Sequence, residues 1–175
     1  KENRPLSRQD KLDLERGSYL KKWTGRTPVA LVYPNSYSVG MSSLGFQLVY
    51  RLLNERDDVV CERFFNDGDE PLLSCESSRR LEDFPLILFS VSFEHDYPAL
   101  VRILLQGGIE PFTALRNKEA DSPLLICGGV AVFMNPEPIA PFFDFMVIGE
   151  AEPVLHPLFD HLLHHNPTDT NEQFY

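Results

Sequence analysis

Residues 29–53 read VALVYPNSYSVGMSSLGFQLVYRLL. The apolar run VALVY at 29–33 breaks at Pro34 and Asn35, passes through Ser36, Tyr37, Ser38 and Gly40, and gives way to a helical pattern. From 43 to 55, Leu44, Leu48, Val49, Leu52 and Leu53 recur at i, i+4, i+5, i+8 and i+9, one face of a helix. A short buried strand, a Pro/Asn/Ser/Gly turn and an amphipathic helix form one βα unit. Ligands of α/β proteins bind where such strands end, which makes the loop 34–40, PNSYSVG, the first candidate site.

The alternation continues along the chain. DVVCERF at 58–64 reads as a second strand with Glu62 pointing outward, and PLILFSV at 85–91 as a third, buried on both faces. PLLIC at 123–127 and FMVI at 145–148 read as a fourth and a fifth. Helices are predicted over 96–106, where Gly107-Gly108 supplies the stop, and over 152–163, with Leu155, Leu158, Phe159 and Leu162 on one face. The stretch 66–83 is polar and turn-rich, with a short strand or helical turn at 72–76, and 109–112 reads as a minor strand.

Strands alternating with helices predict a three-layer α/β/α sandwich of about five mainly parallel strands, Rossmann-like or flavodoxin-like. Residues 1–27, with a helical pattern around Leu12, Leu14 and Leu20, form an N-terminal arm or short helix; 28–165 form the α/β domain; 166–175 form a frayed tail.

Composition narrows the function classes. Twenty-six acidic against 16 basic residues, a formal charge of -10, argue against a nucleic-acid partner, which would call for clustered Lys and Arg. No apolar stretch has the length of a membrane span and the start lacks a signal-peptide core, so the expectation is a cytoplasmic protein with no membrane partner. Cys61, Cys75 and Cys127 are too far apart for a disulfide framework or a CxxC pair. His161 and His165 stand at i, i+4 without a third ligand near in sequence, so a solvated helix end is the better reading.

Four strand-end loops concentrate small and polar residues: 34–40, 90–95 with Ser90, Ser92, Glu94 and His95, 128–135 with Gly128 and Gly129, and 149–152 with Gly149, Glu150 and Glu152. Such residues cap helices and form turns everywhere; together at successive strand ends they also leave room for an extended ligand. Neither GxGxxG nor GxxxxGK[ST] is present, and no nucleophile–base pair stands at a strand end.

NSYSVGMSSLG (35–45), FPLILFSVSFEHDY (84–97) and PLLICGGVAVFMNPEPIAPFFDFMVIGEAE (123–152), in this order, resemble the N-terminal cobalamin-binding-like domain of B12-binding radical-SAM proteins. The likeness covers roughly residues 25–160. It implies a B12-binding-type α/β domain that precedes a radical-SAM barrel of the same parent chain. That missing downstream domain would hold the [4Fe–4S] cluster and S-adenosylmethionine, since three scattered cysteines make no CxxxCxxC here. By the matching, Ser90 and Ser92 correspond to the turn that touches the cobalamin tail, and Gly128 and Gly129 to the pair that lets it pass. Gly149 and Glu150 match the turn facing the corrin or the next domain. Asn35, Tyr37 and Gly40 stand where many relatives carry D-x-H-x-x-G, with Tyr37 in place of the cobalt-ligating His. Cobalamin then binds without a protein axial ligand, or the pocket has been lost and the fold serves as a docking or substrate-positioning scaffold. An unrelated small α/β enzyme, using Glu94, His95, Glu150 or Glu152, is the remaining reading; on the first two the chain is not catalytic alone.

Overall fold

The computed structural model describes residues 8–68, 71–116 and 122–164. Five strands form one all-parallel sheet: β1 (Thr27–Tyr33), β2 (Val59–Phe65), β3 (Leu86–Ser90), β4 (Leu124–Gly128) and β5 (Phe145–Met146). Their order is β2-β1-β3-β4-β5. The chain leaves β1 toward one edge and returns to continue toward the other, so the strand order reverses between β1 and β3. Short helical segments complete the chain: α1 (Arg8–Leu14), α2 (Tyr37–Gly40), α3 (Leu44–Glu55), α4 (Tyr97–Gln106), α5 (Thr113–Arg116), α6 (Val130–Met134) and α7 (Glu152–His164). Among the described residues no helix is long and apolar enough to cross a membrane.

Parallel strands buried on both sides must be apolar throughout, and their alternate residues build two cores. Val29, Leu31, Cys61, Leu88 and Ile126 face α3 and α7, where Phe46, Leu53, Leu155 and Phe159 close over them. Ala30, Val32, Phe64, Ile87 and Phe89 face the opposite layer, built from Leu100 and Ile103 of α4 and Ala131 and Val132 of α6. This is the expected three-layer sandwich.

Three local expectations are corrected. Residues 109–112 form no strand: Ile109 N–H instead closes the end of α4 on Leu104 O at 2.9 Å, and Phe112 O accepts from Arg116 N–H at 2.9 Å as α5 begins. Glu62 does not point outward. It is 1% exposed, and its carboxylate accepts from Trp23 Nε1 at 2.7 Å and from Ser77 Oγ at 2.6 Å. The period-2 rule assumes a wet face, but the arm and the segment after residue 72 cover this edge strand. The fifth strand has two residues rather than four, because its pairing with β4 covers only Phe145 and Met146 before β4 ends at Gly128.

Of the arm's leucines Leu14 and Leu20 are exposed and Leu12 is half-buried; the arm packs through Tyr19 and Trp23 and is tied down by charge pairs. Lys11 Nζ reaches Asp67 Oδ2 at 2.7 Å, and the carboxylate of Glu15 accepts from Tyr37 Oη at 2.6 Å and Ser18 Oγ at 2.8 Å. Glu15 also lies 2.7 Å from Arg63 Nη2, whose guanidinium is paired on its other side with Glu76 at 2.7 Å. Arg63 is thus a buried cation sharing two carboxylates, over the ring of Tyr50 at 4.4 Å.

Burial works to raise the pKa of Glu15, but the hydrogen bonds of Arg63 and Tyr37 and the Arg63 charge prevail and hold it below the ordinary 4.5. A carboxyl depressed by folding stabilises the folded state above its unfolded pKa and loses that contribution as pH falls through the folded value. Amide exchange across the arm is therefore expected to be slow at neutral pH and to quicken on acidification below about 4.5. Glu15→Gln should exchange fast at neutral pH already. Equal protection in the two proteins at neutral pH would show that Glu15 does not hold the arm.

Candidate functional site

A cavity of about 560 Å³ lies between α3 and α7 on the sheet face, toward the carboxyl ends of β1, β3 and β4. Its floor is Leu31, Leu88 and Ile126; Gly45, Leu48 and Val49 come from α3, and Ala151 and Leu155 from the start of α7. Gly129, Val130 and Phe133 approach from the α6 side, and Val147 and Gly149 from the end of β5. The volume falls in the range of roughly 300–1,000 Å³ typical of small-molecule sites, and the walls are apolar as such sites mostly are. Among the described residues no Lys or Arg lines it; Glu150 and Glu152 are its only charges, both exposed.

The helix α3 explains why the cavity is there. Phe46, Tyr50 and Leu53 are its buried stripe, not the face expected to include Leu44, which is 82% exposed. Leu48 and Val49 are left beside that stripe, half-buried, as cavity wall. The helix carries more apolar surface than its packing uses, and the surplus faces the open space.

The glycines divide by cause. Gly129 has φ +112°, and a side-chain carbon there would lie 2.4 Å from Val91 O and 2.8 Å from Val91 N. The approach is fixed by two hydrogen bonds, Val91 N–H to Gly128 O at 2.9 Å and Ala131 N–H to Val91 O at 3.1 Å. Gly149, at φ +128°, also needs glycine for its backbone. Gly128 and Gly45 do not. An added carbon at Gly128 would meet Val147 at an ordinary 3.5 Å, and one at Gly45 would meet nothing within 4 Å. A glycine inside a helix or strand costs about 0.5–1 kcal/mol relative to alanine, and here what it leaves is cavity space.

Five of the nine residues singled out in the sequence meet at this cavity: Ser90, Gly128, Gly129, Gly149 and Glu150. Ser90 and Gly128 pair across β3 and β4, and strand alternation turns both to the cavity face with Leu88 and Ile126. The other four lie outside its lining. Asn35 ties its loop to the head of α4, with Nδ2 donating to Asp96 Oδ1 at 2.9 Å and Oδ1 accepting from Ser36 N–H at 2.8 Å. Asp96 is buried, which pushes its carboxyl up. The Tyr37 ring packs edge-on against Phe65 at 5.2 Å, and burial together with its bond to Glu15 raises its phenol above the ordinary value. Gly40 is demanded by packing, since a carbon there would lie 2.5 Å from the Phe65 ring. Ser92 is half-buried in the loop after β3.

Gly45, Leu48, Val49 and Phe133 are among the lining residues that sequence reasoning missed as site residues. Their signals were the second glycine of GMSSLG and an apolar helix face too wide for one stripe. Glu94 and His95 are exposed, and no group of three or more metal-ligating side chains occurs among the described residues. His165 lies outside the described residues. The cavity can therefore hold a flat or extended, largely uncharged group in an apolar wall, with one hydroxyl and two rim carboxylates for polar contact.

Residues 45–174 match the family described as radical SAM proteins, N-terminal. The chain is also similar to the uncharacterized protein MJ0966 of Methanocaldococcus jannaschii, 28% identical over 124 residues, 71% of this chain and 24% of that protein. The chain thus spans about a quarter of the length of the curated relative it matches. No solved structure matches the chain.

The two adjacent glycines should separate in a stability measurement. Gly129→Ala is expected to lower the free energy of urea unfolding by at least about 2 kcal/mol, from backbone strain and the clash with Val91. Gly128→Ala should change it by less than about 1 kcal/mol. Equal losses would mean that Gly128 is structural too.

Proposed function

The chain belongs to the family of N-terminal domains of radical SAM proteins, and from that premise we propose that it is a cofactor-binding module, non-catalytic alone, which seats a corrinoid of the cobalamin type by its nucleotide tail. The observation that carries the reading is the pair Gly45 and Gly128: neither glycine is required by backbone or packing, and both leave space in one apolar cavity at the strand ends. A heteroaromatic base fits such walls. Leu31, Leu88 and Ile126 would lie under it, with Leu48, Val49 and Leu155 at its sides. Ser90 and the backbone at Gly128–Gly129 would meet the polar part of the tail.

A bound corrinoid supplies a cobalt centre able to carry a methyl group or electrons. The residues of this chain would hold and orient it and exclude water from its tail. Tyr37, which stands where an axial histidine is expected, already donates its phenol proton to Glu15. On this reading the module therefore contributes no axial ligand from that loop. The [4Fe–4S] cluster, S-adenosylmethionine and the reacting groups would belong to the radical SAM domain of the parent chain, the module's partner.

One observation favours a second reading, a scaffold of the same fold that binds no corrinoid. Among the described residues the rim carries Glu150 and Glu152 and no cation, so a phosphate-bearing tail would meet no opposite charge there.

The test is retention of corrin absorbance after the chain is incubated with hydroxocobalamin and desalted, with tail-less cobinamide in parallel. Cobalamin is expected to be retained at least about tenfold better than cobinamide, and Gly128→Leu should abolish the difference by filling the slot. A colourless protein, or full retention by a folded Gly128→Leu variant, would contradict the reading.

A further inference from the structure

Lysine and arginine are segregated along this chain. All 16 fall within residues 1–26, 51–80 and 102–118; the stretches 27–50, 81–101 and 119–175 contain none, and their only ionic side chains besides histidine are Asp and Glu. β1, β3, β4 and β5 all lie in the cation-free stretches. Because these strands are parallel, the loops that follow them gather on one face of the molecule.

That face also exposes large apolar side chains. α6 turns Ala131 and Val132 into the core, and its remaining residues, Val130, Phe133 and Met134, stand at i, i+3 and i+4 on an outward face. These three, Leu44 at the start of α3 and Ile148 after β5 are each more than half exposed. Val130 and Phe133 line the strand-end cavity, as do Gly45 and Gly149, the chain neighbours of Leu44 and Ile148. The apolar group therefore borders one concavity, with the exposed carboxylates of Glu150 and Glu152 beside it. Exposed apolar residues scattered singly are ordinary; a group of them around a concavity with a charged border marks a surface that another body covers.

Charge selects the body. A second copy would set Glu150 and Glu152 against like carboxylates in a chain of formal charge -10. A nucleic acid or an anionic lipid surface would add negative charge to negative. The complement is a protein surface with an apolar centre and Lys or Arg at its border. The relative has room for one, since this chain matches only 24% of it.

We propose that this face docks the remainder of the parent protein, through a surface that sets apolar side chains against α6 and lysines or arginines against Glu150 and Glu152. The docking rests on the reading of the chain as the N-terminal module of a longer protein. It needs no corrinoid, and Leu44 and Met134 lie outside the cavity lining.

The experiment follows amide hydrogen exchange in the parent protein and in this chain alone, both without cobalamin. Residues 130–135 should exchange at least about tenfold more slowly in the parent, and raising sodium chloride from about 50 to about 500 mM should shrink that difference. Met134→Glu and Leu44→Glu should each cut the protection at least about fivefold, whereas Leu105→Glu, also exposed but near the end of α4, should not. Equal exchange in the two proteins, protection indifferent to salt, or an equal loss with Leu105→Glu would overturn the proposal. So would protection of this chain alone that grows with its concentration, which would give the face to a second copy. Cobalamin retention bears only on the corrinoid reading, so the two can fail separately.

Discussion

The carbonyl oxygen of Val91 occupies the place that a side chain at position 129 would need, 2.4 Å from where its first carbon would lie. Much of the strand-end architecture depends on that approach. Val91 receives and donates one backbone hydrogen bond beyond the last residue of β3, so β3 and β4 stay joined past the end of their ladder. The chain can then turn at once into α6, which brings Val130 and Phe133 to the cavity while Gly128, one residue earlier, leaves it open. Two adjacent glycines therefore answer different constraints, one of backbone and one of space.

The opposite side of the sheet is organised by charge. β2 is an edge strand yet buried along its whole length, because the arm and the segment after residue 72 close over it. Arg63 is the centre of that closure, paired with Glu15 of the arm and Glu76 of the segment. Removing one partner of such a buried set leaves an uncompensated charge and typically costs about 3–5 kcal/mol, far more than a surface pair. The same closure engages the Tyr37 phenol, which donates to Glu15. The cavity lies instead toward the ends of β3, β4 and β5.

The sheet was legible because strands buried on both faces read as unbroken apolar runs; VALVY, PLILFSV and PLLIC fall within a residue or two of β1, β3 and β4. Half of the site was legible for a related reason: Ser90, Gly128, Gly129, Gly149 and Glu150 sit directly at strand ends, and topology alone gathers strand ends. Asn35, Tyr37 and Gly40 were harder to read, because their neighbours Asp96, Glu15 and Phe65 lie 20 or more residues away in the chain. Glu62 misled through alternation, which presumes solvent on one face. The phase of α3 could not be read from its leucines, because the apolar face was wider than the buried stripe and the difference lines a cavity.

The central claim is that the space left by Gly45 and Gly128 receives the heteroaromatic base of a corrinoid tail. Its most direct measurement is methyl NMR of the chain titrated with that base alone, 5,6-dimethylbenzimidazole, free of corrin and phosphate. Saturable shifts confined to the methyls of Leu31, Leu48, Val49, Ile126 and Leu155 are the predicted result. Unmoved methyls at these five positions, with the base present in excess, would contradict the account.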